Sequence, residues 1–162
     1  MIETLPVWVV AERRVLAGPW PTTRWTVTAV GPGTADMAPG TVLERGDGWE
    51  RLYMGTAPLR LYAGETANYL HALRAERPTL AVILRRAEGD GMRLLTVTVD
   101  PGEVDVHADS GDDLIEAVPL PRAIGAWVRN FVAAHHVDRP VWRRRRDSAD
   151  PDALGRRPKV GS

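Results

Sequence analysis

Four polar side chains, Glu103, Asp105, His107 and Asp109, alternate with Val104, Val106 and Ala108. In an extended segment they would share one face, about 7 Å apart at i and i+2. Carboxylates with one imidazole can bind a divalent cation. A single histidine at unspecific spacing fits a solvated acidic edge strand or loop better, and no metal is expected here. The run Asp109-Ser110-Gly111-Asp112-Asp113 lacks the ligand spacing and closing Glu of a calcium loop. His135 and His136 are neighbours, so on a helix they diverge by about 100° and are poor joint ligands. His135 reads as a boundary residue of an apolar stripe.

Covalent chemistry finds little to work with. The chain has no cysteine, which excludes disulfides, thiolate metal sites and thiol catalysis. No serine sits in a Gly-x-Ser-x-Gly turn. Leu16-Ala17-Gly18-Pro19 is similar in outline to the glycine-rich loop of nucleotidyltransferases that attach GMP to molybdopterin. Pro19 removes an N–H and restricts φ there, whereas a phosphate loop needs both its amides and its freedom. No catalytic residue and no cofactor is expected.

The remaining features suit contact. Trp20, Arg24 and Trp25 fall in the proline-bracketed segment from Gly18 to Trp25. Tryptophan and arginine are enriched at interface hot spots, although burial in the core is the more ordinary fate of a tryptophan, and Arg stacked on Trp can be purely internal. Arg143, Arg144, Arg145 and Arg146 could contact phosphates in a salt-dependent way. Without aromatic–basic interleaving or a recognition helix, they read as a solubilising or partner-docking run, and no nucleic-acid partner is expected. Charge is balanced overall, with 21 basic and 21 acidic residues among 162. It is unevenly spread: Arg139 to Ser162 carries a net +5, and Asp100 to Glu116 holds seven carboxylates and no Lys or Arg.

The positioning elements follow from periodicity. Val7 to Ala11 and Arg24 to Val30 read as strands, the second with Trp25, Val27 and Ala29 on one face. Thr41 to Glu44, Trp49 to Gly55 and Leu59 to Ala63 read as three short strands, the first two joined by a Gly46-Asp47-Gly48 turn. Glu65 to Arg77 has a helical stripe of Tyr69, Leu70 and Leu73, with Thr66 as N-cap and Pro78 as stop. Thr79 to Arg86 and Met92 to Val99 make an antiparallel hairpin. Asp112 to Val118 suggests one or two helical turns. Ile124, Trp127, Val128, Phe131 and Val132 form one apolar helix face. The fold expected is α+β: a mainly antiparallel sheet of about six or seven strands with two principal helices. Residues 1–138 form the single domain, and composition predicts a disordered Arg-rich tail over 139–162. Met1 to Pro6 does not read as a signal peptide and no ~20-residue apolar span is present, so the expected location is the cytoplasm, away from membranes.

Several segments together resemble one bacterial family, domain of unknown function 3305. They are Gly18-Pro19-Trp20 with Arg24-Trp25; Asn68-Tyr69 through Leu73 with Pro78 and Leu84-Arg85-Arg86; Val97 to Pro101 with Glu103; Asp109 to Asp113 with Val118 to Pro121; the Trp127 helix; and Arg143 to Arg146. The resemblance implies genes beside those of molybdenum-dependent formate dehydrogenases. It places no catalytic residue on this chain. The expected function is a non-enzymatic accessory protein, supporting maturation or assembly of such a formate dehydrogenase by binding it or its maturation factors. The alternative is an enzyme of molybdopterin guanine dinucleotide metabolism, and a further alternative is a nucleic-acid-binding regulator using the Arg run.

Overall fold

In the computed structural model, which describes residues 1–137, β1 (Ile2–Leu16) is the central strand. It pairs antiparallel with β2 (Thr22–Pro32) on one side and β4 (Trp49–Tyr62) on the other. The short β3 (Val42–Gly46) adds to the far edge of β4, giving the order β2-β1-β4-β3. Alternation puts Val7, Val9 and Ala11 on the inward face, where none has exposed surface.

Two bulges reset that alternation. Val9 pairs with Gly55 and Val10 with Tyr53, so Met54 is the extra residue of β4. Val10 pairs with Ala29 and Ala11 with Val27, so Thr28 is the extra residue of β2. Each bulge flips the faces of the residues beyond it. Val27 and Val30 therefore both join the core, while Ala29 is exposed, against the strict alternation read from the sequence. Gly55 carries the β4 bulge at φ 114°, a conformation that favours glycine.

The second sheet contains β5 (Thr79–Arg86), β6 (Met92–Thr98) and β7 (Asp113–Pro119) in the order β6-β5-β7, with β5 antiparallel to both neighbours. A 3₁₀ turn, Ala63–Glu65, leads into α1 (Thr66–Leu73); α2 (Pro101–Ala108) links β6 to β7, and α3 (Arg122–His135) follows β7. Leu80, Val82 and Leu84 of β5 face Leu59 and Leu61 of β4 in one core, completed by Tyr69 of α1 and by Ile124, Val128, Phe131 and Val132 of α3. No described helix is long and apolar enough to cross a membrane.

The α+β class and the seven strands agree with expectation; their division into sheets of four and three, and a third helix, do not. The expected strands Trp49 to Gly55 and Leu59 to Ala63 are one strand. Pro58 looks like a break but sits opposite Pro6, where neither missing N–H faces the partner strand. The segment Asp112 to Val118 is β7 and not helical, because it completes the second edge of β5 from Arg85↔Asp113 to Thr79↔Pro119. The acidic segment is α2 and not extended. The Asp100 carboxylate accepts from the Gly102 N–H at 2.8 Å, and Pro101 occupies the first turn. Thr66 is the first residue of α1 and not its cap, which is Glu65.

Phe131 meets Tyr69 edge-on at 6.3 Å and is 2% exposed, whereas Trp127 is only partly buried. Phe131→Ala should cost about 3–5 kcal/mol in denaturant unfolding. Trp127→Ala should cost clearly less, and an equal or larger loss would contradict this packing of α3.

Candidate partner surface and groove

The structure separates the residues that the sequence groups. Trp20 lies between Pro19 and Pro21 in the β1–β2 connection and is 86% exposed. Arg24 and Trp25 are successive residues of β2, so their side chains leave opposite faces. Trp25 turns inward, packs against the core and donates its indole N–H to the Asp90 carbonyl at 2.8 Å. Arg24 stays exposed on the outer face. Arg143, Arg144, Arg145 and Arg146 lie outside the described residues, as does the tail over 139–162.

Asp90, at the tip of the β5–β6 hairpin, gathers the inward face of the first sheet. Its carboxylate accepts from the Thr23 hydroxyl at 2.7 Å and pairs with Arg13 at 3.3 Å. The Thr23 bond, then the nearby Arg13 charge, holds this carboxyl below its ordinary range. Arg13 continues to Glu50 at 2.7 Å. Trp25 thus serves to clasp the two sheets together.

Stacking of arginine on tryptophan does occur, at Trp49. Arg51 lies 5.0 Å and Arg14 5.8 Å from its ring centroid, each contact contributing about 0.5–1 kcal/mol at an exposed site. Glu12 pairs with Arg14 at 3.0 Å and Arg51 at 3.5 Å, and Glu44 with Arg51 at 2.6 Å. This cluster joins residues of β1, β3 and β4 in neighbouring rows of one face, which only the strand register reveals.

On the outer face of the second sheet, α2 covers the paired residues Ile83 and Ile115 and leaves a groove of about 340 Å³ toward the end of α1. Ala81, Ala117 and Ile115 supply its floor; His71, Asp100 and Asp105 stand at its rim. Small floor side chains create the space. Among the described residues no lysine or arginine lines it, so a phosphate-bearing ligand would meet carboxylates where it needs cations. The groove suits a neutral or cationic apolar group.

As a helix, α2 cannot hold Glu103, Asp105, His107 and Asp109 on one face, and the described residues contain no group of three or more potential metal ligands. His107 instead binds the buried Asp113 through Nδ1 at 2.9 Å, and Asp113 also accepts from Arg85 at 2.8 and 3.2 Å. No described hydroxyl bonds the His107 ring, so the pair lacks the nucleophile of a hydrolytic triad. Its role is to pin α2 to β7. His135 and His136 are boundary residues: His135 packs against Phe131 with the rings tilted and 4.5 Å between centroids, and His136 Nδ1 meets the Thr66 hydroxyl at 3.0 Å.

The Arg85 hydrogen bond, aided by His107, lowers the Asp113 carboxyl from 3.8 to about 2. A lowered folded value stabilises the fold above the unfolded value, and this contribution is lost as pH falls toward the folded one. Thermal melts of the wild type should therefore lose stability progressively from pH 4 to pH 2. Asp113→Asn should start lower and lose less across that window, and parallel curves for the two proteins would refute the assignment.

No match was found among curated proteins or among solved structures. The family profile of Protein of unknown function (DUF3305) matches residues 6–146. That match runs from Pro6 within β1 past the end of α3, and the chain belongs to this family.

Proposed function

We propose that this is a non-enzymatic accessory protein that acts by binding another protein, and that Trp20 is its anchor. The supporting observation is the 86% exposure of an indole held between two prolines at the end of the β1–β2 hairpin. A tryptophan there costs solubility and gives the fold nothing, whereas a preorganised aromatic anchor is the commonest interface hot spot. The polar side chains that could do chemistry support the same reading, because Asp90, Asp113, His107 and Glu12 are engaged in structural pairs. The partner proposed is a molybdenum-dependent formate dehydrogenase or one of its maturation factors, in the cytoplasm. That part rests on the family resemblance.

Trp20→Ala should leave the melting temperature nearly unchanged, as surface substitutions usually do. It should weaken capture of the partner from the native host about 30-fold or more, the scale of a hot-spot loss. Deleting the gene should lower formate dehydrogenase activity and spare other molybdenum enzymes. Loss of all molybdenum enzymes together would move the protein into cofactor synthesis, and unchanged capture by the Trp20 variant would remove the anchor.

A further inference from the structure

The described chain ends beside a second groove. His136 at the end of α3 reaches Thr66, the first residue of α1. Adjoining Thr66, between the 3₁₀ turn and α2, runs an open groove of about 550 Å³ lined by Tyr62, Glu65, Asp100, Glu103 and Val106. Val106 is 69% and Tyr62 41% exposed. These are large apolar side chains that the described fold leaves uncovered. Three carboxylates stand around them, and no described lysine or arginine lines the groove. Asn68 donates to Glu65 and Asp100, at 3.0 and 3.1 Å, and the Gly102 N–H also donates to Asp100. Among the described residues no cation compensates them.

The occupant this surface calls for has an apolar group next to several guanidinium groups, and the same chain supplies one a few residues on. Val141-Trp142-Arg143-Arg144-Arg145-Arg146 begins four residues after Val137. Five residue steps from Val137 to Trp142 span up to about 17 Å, enough to reach a groove whose near wall adjoins the residue His136 touches. The family profile supports the pairing independently: it runs nine residues past Val137 and stops at Arg146, the last arginine of the run. The shared family sequence therefore includes this segment and excludes the remaining sixteen residues. We infer that the groove between the 3₁₀ turn and α2 is the docking site of residues 141–146 of the same chain, with Trp142 on Tyr62 and Val106 and the arginines toward Glu65, Asp100 and Glu103. Tethering gives the segment a high effective concentration there, so contacts that are weak singly suffice.

Trypsin tests this on the full chain, because it cleaves after each arginine of the segment and also at the Arg156–Arg157 bond outside it. Cleavage within 143–146, normalised to cleavage at 156–157, should be about fivefold to thirtyfold slower at low salt than at 1 M salt, the scale of a few partly exposed ion pairs that salt screens. The double variant Glu65→Gln/Glu103→Gln and the single variant Val106→Ser should each raise low-salt cleavage toward the high-salt rate. Their melting temperatures should stay close to wild type. Equal normalised rates in wild type and variants would overturn the docking site. Protection that grows with protein concentration would assign the segment to a second copy, and protection that appears only on adding another protein would assign the groove to a partner. Either result would overturn docking within one chain.

Discussion

β1 is hydrogen-bonded along both edges, and that double pairing fixes where everything else can go. A strand so held cannot rotate or slip without breaking two ladders, so its inward row of Val7, Val9 and Ala11 is a fixed apolar surface. The second sheet must cover that row, and α1 and α3 fill the space left beside it. Further along β1 the inward row turns polar. Arg13 lies between Trp25 and Glu50, and here the contact to the second sheet changes from apolar packing to the Asp90 clasp. The two ends of one strand thus specify two kinds of contact.

Elements whose periodicity is uninterrupted were legible in the sequence. The stripe of α3 and the alternation along β5 needed only local pattern, since the extra residue of the β5–β6 hairpin, Leu95, lies in β6. Bulges defeat the same reasoning. Thr28 and Met54 each shift the faces by one residue, and no single-residue preference marks either. α2 shows a different failure. Its alternation of acidic and apolar residues imitates a strand, while the decisive signals sit at its start: Asp100 as cap, Pro101 in the first turn and Glu103 three residues after the cap. End signals outweigh internal alternation because a short polar helix depends on its cap and on its lock to β7. The β7 strand was obscured by the same acidic run, since Asp113 is unreadable as a buried residue until Arg85 and His107 are seen around it.

The candidate surfaces divide along similar lines. An exposed tryptophan between prolines can be nominated from sequence, but whether it is exposed is a tertiary fact. Trp20 and Trp25 are five residues apart, and one is free while the other bridges the sheets. The Trp49 cluster and both grooves depend on register and on how α2 crosses its sheet, so no local motif announces them.

The outer faces of the two sheets differ in a way that bears on function. On the first, the ring of Trp8 lies over its cross-strand partner Gly31, and that of Trp49 over Gly46, so closely that a Cβ at either glycine would come within 2.3 Å of the ring. Arg14 and Arg51 then lie against Trp49. The sheet seals its own face with aromatic cover over glycine and leaves little for a ligand. On the second, an eight-residue helix covers only part of a three-stranded face, and the described residues leave space on each flank of α2. Both flanks share Asp100, whose carboxylate caps α2 and lines each groove. The residue that starts the helix thus forms part of the wall of both grooves.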